Sequence, residues 1–217
     1  MNIRGAIFDL DGTLTDSMYI WQKAPVDLVR RYGGDPPEDL ARDLKEMGRR
    51  EAAEYLRSRF SLSTTPEELM DTLNDLVTEE YRSRVPMKPG ADRLLARLAD
   101  SGISCCIATA SEAFQARDAM VRLGLWKHFL FAFSSLQYGS KSRPDVYFAA
   151  ARSLGSAPEH TIVFEDALHA ARTAKEAGFL VAGVYDPSAE GDQEALREVC
   201  DWYLPRLDDP GFLALLK

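Results

Sequence analysis

Near the N-terminus, the apolar run Ala6, Ile7 and Phe8 is followed at once by Asp9-Leu10-Asp11-Gly12-Thr13-Leu14-Thr15-Asp16, and this stretch constrains the fold most. A continuous apolar run suits a strand buried on both faces, as in a parallel sheet covered by helices. Residues two apart on a strand point the same way, so Asp9 and Asp11 are expected to project from its C-terminal tip toward one spot. Gly12 then permits a sharp exit, and that edge of a parallel sheet is where α/β proteins bind ligands. Two carboxylates placed there repel one another. A hard divalent cation such as Mg2+, or a proton held by one of the pair, relieves the repulsion. The plainer alternative is a polar turn whose aspartates serve as turn or N-cap residues.

After Asp16 the hydrophobic period becomes helical. A first helix is expected over 17–32, broken near Pro25 and ending at Gly33-Gly34. A second opens at Pro36-Pro37-Glu38-Asp39, carries Leu40, Leu44 and Met47 on one face, and is stopped by Gly48. A third covers 49–60. Thr65-Pro66-Glu67-Glu68 is the clearest start signal in the chain, with a threonine cap, a first-turn proline and a glutamate three residues after the cap, and it opens a long helix to about residue 84. Pro86, Pro89 and Gly90 punctuate the return. From residue 91 onward, helix and strand alternate at βαβ spacing, with strands expected at 103–108, 129–133, 161–164, 180–184 and 202–204. The expected fold is α/β: a Rossmann-like parallel sheet formed by 1–16 and 87–217, with an inserted α-helical domain at 17–86.

The 217 residues, 46% of them hydrophobic, suffice for a full core plus a small accessory domain. Lys and Arg total 26 against 34 Asp and Glu, a net charge of −8 with no long basic run, which argues against a nucleic-acid partner. No apolar run reaches the roughly 18 residues of a membrane span, and residues 1–4 lead directly into the first strand without a signal-peptide pattern. A cytoplasmic protein without a membrane partner is the expectation. Cys105, Cys106 and Cys200 have no metal-binding spacing and read as core thiols.

Three further polar positions each follow an expected strand: Thr109, Lys141 in Lys141-Ser142-Arg143-Pro144-Asp145, and the pair Glu165-Asp166. Singly they are a helix cap, a solvated loop lysine and ordinary first-turn acids. In this order, behind Asp9-x-Asp11-Gly12-Thr13-x-x-Asp16, they resemble the four motifs of the haloacid dehalogenase (HAD) superfamily. The resemblance spans nearly the whole chain. The insertion after the first motif resembles the helical cap of the β-phosphoglucomutase-like phosphatase subgroup, a likeness strengthened by Asp16-Ser17-Met18 and the alanine-rich stretch after Asp166. Ala167 and Ala170 stand where family members often carry Ser and Gly, a departure that bears on helix packing more than on chemistry.

The resemblance implies a phosphatase of the HAD type, acting on a small phosphorylated metabolite as a monomer or weak dimer. Asp9 would attack a phosphate monoester and become an aspartyl phosphate; Asp11 would protonate the leaving alcohol and then deprotonate the hydrolytic water. Thr109, Ala110 and Lys141 would bind the phosphoryl group with Asp9, while Asp9, Asp11, Glu165 and Asp166 would surround Mg2+. The cap would close to exclude competing water. Sugar-phosphate mutases share these motifs but carry a histidine five residues after the aspartate that matches Asp16. Trp21 occupies that position here, which favours hydrolysis. Carbon–halogen hydrolases lack the second aspartate, and a non-catalytic relative would be marked by loss of Asp9 or Lys141. Arg49 or Arg50, at the start of a cap helix where positive charge opposes the dipole, would select the far end of the substrate.

Overall fold

The structure, a computed structural model, describes residues 2–44 and 47–216. Its packing divides the chain into two compact units, one of residues 17–85 and one formed by the chain on either side.

The smaller unit is helical: α1 (Met18–Arg31), α2 (Ala41–Leu44), α3 (Arg49–Arg59) and α4 (Pro66–Ser83). The capping pattern at Thr65 forms as the sequence suggests. Glu68 N–H donates to Thr65 Oγ1 at 3.2 Å, and Thr65 N–H donates to the Glu68 carboxylate at 3.0 Å. Leu28, Val29, Leu40, Leu56 and Leu69 form the apolar centre. Two expectations fail here. Helix α1 runs unbroken through Pro25, which is itself buried between Ala24 and Val26. The ring removes one helical donor, and the burial of Ile20, Val26, Leu28 and Val29 along that face offsets the loss. Among the described residues the second expected helix is present as α2, which starts at Ala41 and not at the prolines, with Leu40 N–H turned back onto the Pro37 carbonyl at 3.2 Å. Residues 45 and 46 of that expected helix lie outside the described residues.

In the larger unit, β1 (Gly5–Phe8), β2 (Ser104–Thr109), β3 (Phe129–Ser134), β4 (Thr161–Glu165), β5 (Leu180–Val184) and β6 (Trp202–Leu204) form one parallel sheet. Its order is β3-β2-β1-β4-β5-β6. The chain therefore builds outward from β1 on one side, then crosses to the other side to form β4, and the C-terminal strand ends at such a switch point are where open α/β sheets bind ligands. The helices are α5 (Ala91–Asp100), α6 (Ala113–Arg122), α7 (Asp145–Ser153), α8 (Leu168–Glu176), α9 (Gln193–Val199) and α10 (Pro210–Leu213).

Helices cover both faces, which is why β1 reads as a continuous apolar run. Ile7, Cys106, Val163 and Val181 pack on one side with Val146 and Tyr147 of α7 and with Ala171 and Ala174 of α8. On the other face Phe8 stacks on Phe164 with ring centroids 4.3 Å apart, and Phe212 meets Phe164 edge-on at 5.8 Å. Each fully buried phenylalanine contributes about 1.5–3 kcal/mol, so β1 is anchored before any polar group is placed. Strands β2 and β4 extend one residue beyond the expected ends, which makes Thr109 and Glu165 the last residues of their strands. The sequence reading has no counterpart of α9 or α10. Cys105 and Cys106 are buried in this core, and burial pushes the Cys105 thiol up to about 12; Cys200 is only half-buried. Among the described residues, no helix is long and apolar enough to cross a membrane.

Candidate active site

The C-terminal ends of the central strands gather four charged side chains. Asp9 follows β1, and its N–H continues the ladder onto the Phe164 carbonyl at 3.0 Å, which sets it level with Glu165 at the end of β4. Lys141, in the loop before α7, donates from Nζ to Asp9 Oδ1 and, at 2.6 Å, to Glu165 Oε1. The Tyr147 hydroxyl donates to the same Glu165 oxygen at 2.8 Å, and Thr13 Oγ1 donates to Asp166 Oδ1 at 2.9 Å. Gly12, at φ +83°, lets the loop pass beside Asp166: a Cβ there would lie 2.4 Å from Asp166 Oδ2.

Asp9, Lys141, Glu165 and Asp166 are 7%, 6%, 1% and 4% exposed, so the site is shielded from solvent. Burial pushes the Asp9 carboxyl well above the usual carboxylate range; Lys141 pulls it back, and Glu165, Asp166 and Asp11 push it up again. Burial, then the Glu165 charge, raises Asp166 to about 7. Burial opposes the charge on Lys141, yet Asp9 and Glu165 outweigh it and hold the ammonium above its ordinary value.

Asp9, Glu165 and Asp166 each offer an oxygen, and these ligand atoms lie within 4.8 Å of one another. With every carboxyl ionised, these three and Lys141 leave two uncompensated negative charges in a buried site. An oxygen-only donor set with that charge fits a hard divalent cation such as Mg2+. Asp11 is not in this group of ligand atoms. It is half-buried, and its Oδ2 accepts a 2.8 Å hydrogen bond from Ser111 Oγ. Thr109 is fully buried and its Oγ1 accepts from Ser111 N–H at 3.0 Å, while Ala110 between them is exposed.

Trp21, Arg49 and Arg50 belong to the smaller unit. Trp21 is half-buried on α1, and both arginines are exposed at the start of α3. Arg50 pairs with Glu54 at 3.2 Å and with Glu67 at 2.9 Å, so acidic neighbours already balance its charge.

The sequence reading missed Thr13, Ser111 and Tyr147, which hold Asp166, Asp11 and Glu165 respectively. Thr13 lies inside the quoted first motif and could have been found there; the other two are single hydroxyls with no local pattern. It also missed the buried pair of Lys88 and Asp186, 2.6 Å apart, in which Asp186 Oδ2 makes no well-aligned hydrogen bond and the contact is ionic. Lys88 Nζ also donates to the Tyr185 carbonyl at 2.9 Å, and Lys88 N–H to the Leu14 carbonyl at 2.9 Å. The residue thus ties the first-motif loop to the segment after β5.

A Rossmann-order parallel sheet with a lysine set among carboxylates at its switch point is the architecture of one class of hydrolases. The chain belongs to the haloacid dehalogenase-like hydrolase family, whose model matches residues 6–184. Hexitol phosphatase A of Escherichia coli is 30% identical over 199 residues, 92% of this chain and 89% of that protein. A phosphorylated carbohydrates phosphatase of Thermotoga maritima is 25% identical over 177 residues, 81% of this chain and 82% of that protein. Among solved structures, a candidate β-phosphoglucomutase from Thermotoga maritima aligns with a TM-score of 0.82 at 25% identity, covering 99% of this chain and 98% of the other.

Proposed function

We propose that this protein is a Mg2+-dependent phosphatase that hydrolyses a small phosphorylated carbohydrate or polyol through an aspartyl phosphate at Asp9. The observation that carries this reading is the buried contact of Lys141 with both Asp9 and Glu165, beside Asp166, at the sheet's switch point. The names of the relatives supply the substrate class: one is a hexitol phosphatase and another a phosphorylated carbohydrates phosphatase.

A monoester dianion repels an anionic nucleophile, so the site must cancel charge before it can transfer the phosphoryl group. Asp9, Glu165 and Asp166 would hold Mg2+, which when bound supplies charge neutralisation and Lewis acidity. Lys141 favours the ionised form of Asp9 against the effect of burial, orients it and contributes its own positive charge. Thr109 Oγ1 and the backbone N–H of Ala110 would hydrogen-bond the phosphoryl oxygens. An Asp9 carboxylate oxygen attacks phosphorus as the ester P–O bond breaks, and Asp11 gives its proton to the departing alkoxide so that an alcohol leaves. Asp11, now a carboxylate, takes a proton from water as that water attacks the same phosphorus; inorganic phosphate departs and Asp9 is regenerated.

Trp21 in place of the mutase histidine supports transfer to water over return to the sugar. The test is a screen of phosphate release from hexitol phosphates, sugar phosphates, glycerol phosphate and nucleoside monophosphates, with and without Mg2+. β-Glucose 1-phosphate with a bisphosphate primer is included. Metal-dependent release from a polyol or sugar phosphate is expected. Glucose 6-phosphate forming faster than free phosphate would overturn hydrolysis in favour of isomerisation.

A further inference from the structure

Asp11 can deliver a proton only if its carboxyl is held at a fixed angle to the departing oxygen, and an aspartate has two side-chain torsions to fix. The backbone of Asp11 is set by its own loop, where it bridges Thr15 and the following Gly12 N–H donates to the Thr15 carbonyl at 2.9 Å. The side chain is reached from a different strand. Ser111, 1% exposed in the turn after β2, donates from Oγ to Asp11 Oδ2 at 2.8 Å, and its backbone N–H donates to Thr109 Oγ1 at 3.0 Å. One residue therefore ties the group proposed to serve the leaving oxygen to the group proposed to hold the phosphoryl oxygens, across 100 positions of sequence.

We propose that Ser111 is a positioning residue for the acid–base step, its hydroxyl holding Asp11 in register with the phosphoryl site at Thr109. This rests on the phosphatase reading above. A hydroxyl that merely filled a buried niche would influence all substrates alike. A hydroxyl that orients the proton donor matters in proportion to how much the leaving group needs a proton. An alkoxide is strongly basic and leaves poorly unprotonated, whereas p-nitrophenolate is a stable anion and leaves without help. The quantity kcat/KM isolates this step, because it reports the reaction only through the first irreversible event, departure of the alcohol.

The experiment compares kcat/KM for p-nitrophenyl phosphate and for the best alkyl phosphate of the screen in wild type, Ser111→Ala, Ser111→Cys, Ser111→Thr, Asp11→Asn and Asp9→Asn. Half-saturating Mg2+, inhibition by inorganic phosphate and thermal midpoint are followed alongside. Ser111→Ala is expected to lose about tenfold or more on the alkyl phosphate, a fraction of the full acid–base contribution, and less than about twofold on p-nitrophenyl phosphate. Ser111→Thr, which keeps the hydroxyl, should recover part of the loss. If Ser111→Ala does not fold, Ser111→Cys, nearly the same volume with a weaker donor, should show the same split. Equal losses on both substrates, or none on either, would overturn the inference. A split in Asp11→Asn without one at Ser111 refutes the role of Ser111 alone. No split in Asp11→Asn, or wild-type turnover by Asp9→Asn, refutes the phosphatase reading and this inference with it.

Discussion

Replacing Gly12 by alanine probes how tightly the first-motif loop and Asp166 are fitted together. At φ +83° an alanine pays about 1–2 kcal/mol for the left-handed backbone alone. Its Cβ would also lie 2.4 Å from Oδ2 and 2.8 Å from Cγ of Asp166, closer than side-chain carbons approach, so the whole carboxylate must swing away. That movement breaks the 2.9 Å bond from Thr13, a hydrogen bond to a charged group of about 1.5–3 kcal/mol. The backbone share should appear as a thermal midpoint lowered by about 2–8 °C. The carboxylate share should appear as weaker metal binding, about 10–100-fold, the scale seen when a ligand loses its supporting partner. The assay is phosphate release against Mg2+ concentration, with thermal denaturation in parallel. A Gly12→Ala variant with wild-type Mg2+ dependence would refute the placement of Asp166 as a metal ligand beside this loop.

Asp166 is raised to about 7 from 3.8 and Asp9 is raised too, both first by burial, so these acids hold protons in the folded state that the unfolded chain releases. The contribution of Asp166 to stability is full below about pH 4 and is lost as pH rises through about 7, on the order of a few kcal/mol, and that of Asp9 falls with rising pH in the same sense. Mg2+ should therefore raise the thermal midpoint more at about pH 8 than at about pH 5.5, and an equal effect at both would contradict the charge balance proposed for the site. Lys88→Met should destabilise by about 3–5 kcal/mol in urea denaturation, because it strands the buried Asp186 carboxylate, and a loss below about 1 kcal/mol would show the pair to be dispensable. An Arg49→Ala, Arg50→Ala double variant should lose about 2–3 kcal/mol in kcat/KM on the preferred substrate and little on p-nitrophenyl phosphate; equal losses would rule out substrate selection by these arginines.

The strand ends are legible in the sequence because burial on both faces removes alternation: Ala6, Ile7 and Phe8 stop at Asp9, and Ile162, Val163 and Phe164 stop at Glu165. Once those strands neighbour β1, the parallel register brings Asp9 level with Glu165 without further instruction. Lys141 is legible only through family resemblance, since a loop lysine before a helix has no periodicity to mark it. Hydroxyl ties such as Ser111 to Asp11 and Tyr147 to Glu165 join residues whose separation in sequence carries no pattern. In the smaller unit, local propensity misleads twice. Pro25 signals a break that burial of α1 overrides, and the paired prolines suggest a helix start that the turn at Pro37 moves on to Ala41.

The most direct test of the account is Asp9→Asn, measured as Mg2+-dependent phosphate release from the preferred substrate, with acid-quenched wild-type protein digested to locate any phosphorylated aspartate. The amide cannot act as the anionic nucleophile, so turnover should vanish in the variant, and a phosphoryl group should be found on the Asp9 peptide of the wild type alone. Wild-type turnover by Asp9→Asn, or a phosphoryl group carried by another residue, would contradict it.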